Sequence, residues 1–115
     1  MPAVSVITVV RNGAAHLDAT IESIQRQTFQ DWEYLVVDDA STDETPAIVE
    51  RRSRTDARIR LLRLDRQGGP YVGANVALGE ARGRYVVRTD GDDISMPRRI
   101  ARQLAFLAES PKLRA

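Results

Sequence analysis

Two groups of acidic residues carry the clearest chemical signal in this sequence: Asp38-Asp39, and Asp90-Gly91-Asp92-Asp93. Carboxylate oxygens suit Mg2+ or Mn2+, and Mg2+ is commonly held by one or two carboxylates together with substrate phosphate oxygens. Without a cation, Asp90, Asp92 and Asp93 would repel a diphosphate, and more strongly in a partly desolvated cleft than in water. Gly91 permits unusual backbone angles and leaves the flanking carboxylates free to serve different parts of one ligand. The plainer reading is a polar turn after a strand and, for Asp38-Asp39, a turn or capping acid ahead of Ser41. Asn12 and Asn75 are weaker candidates. Asn12 suits either a hydrogen bond to a base or left-handed turn geometry, whereas Asn75 sits in an apolar-striped helix where Asn is a mediocre helix former. His16, the single histidine, reads as an exposed or capping residue rather than a ligand or base.

The elements around these residues alternate strand and helix. Val4-Ser-Val-Ile-Thr-Val-Val10 is a β-branched, nearly continuous apolar run, the pattern of a strand buried on both faces of a parallel sheet. Leu17, Ile21, Ile24 and Thr28 then repeat at helical spacing, which predicts a helix over 16–27. Trp32-Glu-Tyr-Leu-Val-Val-Asp38 is a second strand ending on two acids, with Trp32 and Phe29 anchoring its entry in the core. Ser41 and Glu44 resemble a capping box and Pro46 suits a first helical turn, so a second helix is expected to about Arg52. Residues 59–63 form a short third strand. After the Gln67-Gly68-Gly69-Pro70 turn, Tyr71, Ala74, Leu78 and Ala81 predict an apolar stripe on a third helix that Gly83 ends. Residues 84–89 make a fourth strand running into Asp90, and Ser95-Met96-Pro97 opens a last helix with Ile100, Leu104 and Leu107 on one face. The Arg51-Arg52-Ser-Arg54 and Arg98-Arg99 groups read as solvated helix faces. Such alternation predicts a three-layer α/β/α fold around a mainly parallel sheet, with ligands at the carboxyl ends of the strands. In the strand order 3-2-1-4 the tips of strands two and four stand about 10 Å apart across strand one, roughly the length of a nucleoside diphosphate.

The 115 residues fit one domain, 1–115. Hydrophobic residues at 43% and charged residues at 29% suit a packed globule and exclude a disordered tail or a rod. A net charge of +1 gives no electrostatic case for nucleic acid. The absence of cysteine excludes thiolate metal sites and a cysteine nucleophile. No apolar run has the length of a membrane span and the N-terminus lacks a signal-peptide layout, so the expected setting is cytoplasmic, at the inner membrane face only through partners.

In order and spacing the sequence resembles the nucleotide-sugar-binding half of a family 2 glycosyltransferase with the GT-A fold, over nearly its whole length. The resemblance rests on Val4-Ser-Val-Ile-Thr-Val-Val-Arg-Asn12, on Ile21-Glu-Ser-Ile-Gln-Arg-Gln-Thr-Phe-Gln-Asp-Trp-Glu33, on Val36-Val-Asp-Asp-Ala-Ser-Thr-Asp43, and on Thr89-Asp-Gly-Asp-Asp-Ile-Ser-Met-Pro97 with Arg99, Ile100 and Gln103. It implies a Mn2+- or Mg2+-dependent enzyme of polysaccharide biosynthesis that moves a sugar, of hexose type, from a nucleoside diphosphate, UDP favoured, to an acceptor hydroxyl with inversion. By the same resemblance the nucleotide-binding positions are Val9, Asn12, Asp38, Asp39, Asn75 and Asp90. Asp39 would meet the nucleobase, Asp90 the ribose or donor sugar, and Asp92, with Asp90, the cation of the DXD motif. Family members often read Pro-Thr-Tyr-Asn where this chain has Val9-Val10-Arg11-Asn12, and many carry Arg where Ala74 precedes Asn75. In similar enzymes the acceptor site and general base lie beyond the position of Ala115, so the chain is expected to be the N-terminal part of a longer enzyme and weakly active alone. The acceptor, a saccharide or lipid-linked glycan, is not named by the residues, and a homodimer stays open.

Three other readings remain. A dinucleotide-binding dehydrogenase lacks its G-x-G-x-x-G, because the first turn reads Arg11-Asn-Gly-Ala-Ala-His16. A phosphatase with an aspartyl nucleophile would use Asp90 and Asp92 and leave Asp38-Asp39 unexplained. A non-catalytic nucleotide- or metal-binding regulatory module would bind no UDP specifically.

Overall fold

The computed structural model describes residues 2–109 of the chain. The elements follow in the order β1 (Val4–Val10), α1 (Leu17–Gln25), β2 (Trp32–Asp38), α2 (Thr45–Thr55), β3 (Ile59–Arg63), α3 (Gly69–Glu80), β4 (Tyr85–Arg88) and α4 (Arg99–Glu109). The four strands form one parallel sheet, as the alternation predicts, in the order β3-β2-β1-β4. β1 and β2 sit in its middle and are buried on both faces, which suits the β-branched run of β1 and the largely apolar residues of β2.

Right-handed crossovers explain the layers. Stepping from β1 to β2 to β3 lays α1 and α2 on one face, and the return from β3 across to β4 lays α3 on the other. Val4, Val6, Val10, Tyr34 and Val36 accordingly pack with Leu17, Ile21 and Ile24 of α1, Ile48 and Val49 of α2, and Ile100 of α4. Ile7, Leu35 and Val37 face Ala77 of α3. Each fully buried Leu or Ile contributes about 1.5–3 kcal/mol of transfer free energy, so the three apolar residues of α1 hold that helix far more firmly than its own nine-residue propensity would.

Several local expectations are corrected. The stripe expected on α3 is only half buried: Ala74 faces the sheet with Gly73 and Ala77, and Ala81 packs against the core, while Tyr71 and Leu78 point to solvent. The helix lies so close to β1 that a Cβ on Gly73 would come 2.5 Å from Val9 Cγ1, and only small residues fit beneath it. Its end falls at Glu80, with Ala81 already extended, rather than at Gly83. The capping box at Ser41 and Glu44 does not form, since α2 begins at Thr45 and Glu44 makes no side-chain cap. Asp43 takes that role: its Oδ1 accepts Thr45 N–H at 2.9 Å, its Oδ2 accepts Ala14 N–H at 3.2 Å, and these bonds with the Thr45 hydroxyl hold its carboxyl below the usual range. α2 runs on to Thr55, α1 stops at Gln25, and α4 starts only at Arg99. The arginine groups are also more than solvated faces: Arg52 Nε donates to Asp18 Oδ1 at 2.7 Å, tying α2 to α1 and lowering the Asp18 pKa, and Arg99 is tied down as described below.

At the amino-terminal end of the sheet Trp32 is buried and Arg58 stacks over its ring at 3.7 Å. Arg58 also grips Asp56 through Nε and Nη2, at 2.9 and 2.8 Å, and holds its carboxyl down at about 2. A depressed folded-state pKa stabilises the fold above the unfolded value of 3.8 and loses that stabilisation as pH falls toward 2. Acid titration of unfolding free energy is expected to show a loss between pH 4 and 2 that Asp56→Asn reduces, Asp18 and Asp43 supplying the remainder. Ala40 sits at φ +55, in the left-handed region that favours glycine. Ala40→Gly is expected to raise stability by about 1 kcal/mol, read from urea midpoints.

Candidate functional site

The two acidic groups meet at the carboxyl end of β1, and Val10 is the residue between them. Val10 is the Cα partner of Asp38 in the sheet, and its carbonyl accepts Asp39 N–H at 2.8 Å. On its other side Gly91 lies so near that a Cβ there would come 2.9 Å from Val10 Cγ2. The spatial order β2-β1-β4 thus places Asp38 and Asp39 on one flank of the strand tip and the Asp90–Asp93 turn on the other.

The two adjacent carboxylates on β2 have different surroundings. Asp38 is 1% exposed, and neither of its oxygens has a hydrogen-bond partner among the described residues. The cation beside it, Arg63 Nε, stands 3.9 Å away. Asp39 lies toward α3, where Oδ1 accepts Gly68 N–H at 2.7 Å and Oδ2 accepts Gly69 N–H at 3.1 Å. A carboxylate there satisfies otherwise orphaned helix-terminal amides and complements the helix dipole. Each Asp39 oxygen keeps a second acceptor position.

Asp90, Asp92 and Asp93 are exposed, and one carboxylate oxygen from each lies within 4.8 Å of the others. Asp93 N–H donates to Asp90 O at 3.1 Å, so the segment is a turn, as the plainer reading held. The turn nevertheless converges three hard oxygen donors on one spot, a donor set that fits Mg2+ or Mn2+.

What holds this turn is a set of side chains that the sequence pattern did not single out. Thr20, Ser23 and Gln27, along and just beyond α1, are all buried. Thr20 Oγ1 donates to Gly91 O at 2.9 Å, and Ser23 Oγ accepts Ser95 N–H at 3.0 Å. Gln27 Nε2 donates to Met96 O at 2.7 Å and its Oε1 accepts Ile100 N–H at 3.0 Å, while Thr28 N–H donates to Pro97 O at 2.8 Å. Arg99 adds Nη1 to Ser95 Oγ at 3.0 Å and Nη2 to Arg88 O at 2.8 Å. The available signal was polar residues recurring beside Ile21 and Ile24 on the buried face. At the root of the turn, Thr8 Oγ1 donates to Thr89 O at 2.8 Å and lies 2.6 Å from Tyr34 Oη, whose burial pushes the phenol pKa up.

The remaining candidates are placed less directly. Val9 is half-buried against Gly73, so it shapes the floor between β1 and α3. Asn12 adopts φ +54, and its Oδ1 accepts Thr42 N–H at 2.8 Å, which is the turn role rather than a free base contact. Asn75 is exposed on α3. His16 is exposed at the start of α1 and makes no side-chain cap.

The family model described as Glycosyl transferase family 2 matches residues 5–113. The putative teichuronic acid biosynthesis glycosyltransferase TuaG of Bacillus subtilis (strain 168) is 38% identical over 108 residues, covering 94% of this chain and 43% of that protein. Among solved structures, S. aureus TarS in complex with UDP-GlcNAc superposes with a TM-score of 0.85 at 34% identity, over 92% of this chain and 31% of that one. The mannosyltransferase PcManGT from Pyrobaculum calidifontis, in complex with GDP-Man and Mn2+, gives a TM-score of 0.87 at 32% identity, over 95% of this chain and 33% of that one. The chain therefore spans less than half the length of each of these proteins.

Gln27→Leu keeps the volume but leaves Ile100 N–H without a partner, while Met96 O keeps Arg99 N–H. An unpaired buried backbone group costs about 1–3 kcal/mol, so the variant is expected to lose roughly 2 kcal/mol in urea unfolding.

Proposed function

The chain belongs to glycosyl transferase family 2, and from that premise we propose that it forms the donor-binding half of a metal-dependent, inverting glycosyltransferase that takes a nucleoside-diphosphate sugar, UDP-linked in preference. The observation that carries the reading is the convergence of the Asp90, Asp92 and Asp93 oxygens beside Val10, with the buried, unpartnered Asp38 carboxylate on the opposite flank of the same strand tip. The two flanks suit the two ends of one elongated anionic ligand. TarS was solved with UDP-GlcNAc and PcManGT with GDP-Man and Mn2+, which supports a nucleotide sugar and a divalent cation as ligands here.

In this proposal Asp38 and Asp39 accept hydrogen bonds from the nucleoside. Asp38 offers a buried carboxylate that has Arg63 at 3.9 Å but no hydrogen-bond donor until a ligand supplies one. Asp39 has lone pairs to spare beyond Gly68 and Gly69, and through those two bonds it also fixes the start of α3. Val9 and Asn12 line the β1 side of the nucleoside pocket, and Asn75 borders it from α3. Asp90 stands near the ribose or donor sugar, and Asp92, with Asp90, holds the cation. When bound, Mn2+ or Mg2+ supplies Lewis-acid neutralisation of the charge that builds on the departing diphosphate. The Thr20-Ser23-Gln27 anchors keep the carboxylates in place, so little reorganisation is needed as that charge develops. Inversion requires an acceptor hydroxyl attacking from the face opposite the diphosphate and a base to take its proton. We place that base and most of the acceptor site outside these 115 residues.

UDP affinity measured calorimetrically is expected to be at least tenfold higher with Mn2+ than with EDTA, a difference of about 1.4 kcal/mol, and Asp92→Asn is expected to erase most of the difference. Equal affinities in the two conditions would sink the proposal. The 115-residue chain alone is expected to hydrolyse donor slowly at best; rapid Mn2+-dependent transfer to an acceptor would put the base within these residues.

A further inference from the structure

One polar pair interrupts the apolar face of the sheet beneath the acidic turn. By alternation Thr8 shares the α1-facing side of β1 with Val4, Val6 and Val10, and Tyr34 shares that of β2 with Trp32 and Val36. Thr8 and Tyr34 are both 0% exposed. Valine would fill the space of Thr8 without bringing a hydroxyl that needs a partner once buried. The Thr8 hydroxyl has a definite direction: Oγ1 lies 2.6 Å from Tyr34 Oη and 2.8 Å from the carbonyl oxygen of Thr89, the residue before Asp90.

Counting protons fixes the polarity of this chain. A carbonyl oxygen only accepts, so the single Thr8 hydroxyl proton goes to Thr89 O, and Tyr34 Oη is the donor to Thr8. Burial pushes the Tyr34 phenol pKa up, which keeps that proton in place. Two hydroxyls that only satisfied each other would leave one proton without an acceptor; the Thr89 carbonyl completes the chain. The sheet ladder has already fixed the Thr89 N–H, which donates to Ile7 O at 2.9 Å, and β4 itself ends at Arg88. Rotation about the Thr89 Cα–C bond is left free by the ladder, and the Thr8 bond to the carbonyl sets it. The C=O and N–H of a trans peptide point opposite ways. Pinning the Thr89 carbonyl inward therefore turns the Asp90 N–H outward, where it donates to Asp93 Oδ2 at 3.4 Å. Asp93 N–H returns to Asp90 O at 3.1 Å. The orientation of one peptide is thus passed to both Asp90 and Asp93, two of the three carboxylates that converge.

We propose that Thr8 and Tyr34 are positioning residues of the metal site: a hydrogen-bond relay from the Tyr34 hydroxyl through Thr8 to the Thr89 carbonyl sets the Thr89–Asp90 peptide, and with it the convergence of the Asp90 and Asp93 carboxylates. The assignment deepens the transferase reading and rests on it, since it takes those carboxylates to hold a divalent cation. Carboxylates that bind metals are themselves oriented by hydrogen bonds from behind, and bonds linked in a chain polarise one another.

The test measures Mn2+ affinity of the 115-residue chain in saturating UDP, from the loss of the free Mn2+ electron paramagnetic resonance signal, beside calorimetric UDP titrations in EDTA. Thr8→Val keeps the volume and removes the relay, and it is expected to weaken Mn2+ binding about tenfold or more. Tyr34→Phe, which keeps the Thr8 bond to Thr89 and removes the donor behind it, is expected to act in the same direction by about threefold or more. Thr8→Ser retains the hydroxyl and is expected to restore the affinity, and UDP affinity in EDTA is expected to stay unchanged throughout. Ile48→Val, a core truncation on α2 away from the relay, serves as the stability control and is expected to leave Mn2+ binding intact. Mn2+ affinity unchanged in Thr8→Val, or equally weak in Thr8→Ser, overturns the proposal. So does an equal loss in Ile48→Val, which would reduce the effect to general stability. Should Thr8→Val show no cooperative urea transition, Tyr34→Phe decides, and an unchanged Mn2+ affinity there overturns the relay. Absence of Mn2+-dependent UDP binding in the unsubstituted chain would strike the donor reading and the relay with it, whereas unaffected variants of a Mn2+-binding chain strike the relay alone.

Discussion

The structure depends on a polar ladder inside an otherwise apolar interface. Residues 91–100 leave the sheet after a short edge strand and have no strand partner to satisfy their backbone groups. Buried N–H and C=O groups must be paired. Thr20, Ser23, Gln27 and the Thr28 amide pair them, one contact after another, from Gly91 to Ile100. Apolar side chains at those positions would have packed against the loop without choosing its conformation. Hydrogen bonds choose it, and so the three carboxylates at the turn end on one spot.

The second constraint is the tip of β1. Val10 takes Asp39 by its carbonyl and Gly91 by its side chain, while Val9 on the opposite face touches Gly73. Small residues where α3 and the turn meet the strand let three segments crowd one strand end. The cost is visible nearby: Asn12 and Ala40 are held in left-handed conformations, and Asp38 is buried without a donor. These unfavourable features gather at the carboxyl end of the strands, the end where open α/β sheets place their ligands.

Much of this was legible in the residues. The strand runs 4–10, 32–38 and 59–63 are mostly apolar, the first of them β-branched, and the structure gives them those bounds. The parallel sheet follows from alternation and crossover handedness, and the order 3-2-1-4, one of those this alternation allows, is the order found. The acids could be placed at strand ends because the apolar runs stop there. α3 was misread because its composition is apolar all round, so periodicity offers several stripes and chooses none. The cap of α2 was misread because Ser41 and Asp43 stand close together, and the contacts to Asn12 and Ala14, some thirty residues away in the chain, decide between them.

By itself the sequence determined the alternation of elements, the parallel sheet and the residence of both acidic groups at strand tips, because each follows from local pattern and handedness. Tertiary structure alone decided which carboxylate stays without a hydrogen bond, Asp38 rather than Asp39, and which helix fixes the acidic turn. Both depend on hydrogen bonds between segments 29 to 73 residues apart, and no local pattern encodes a partner at that distance.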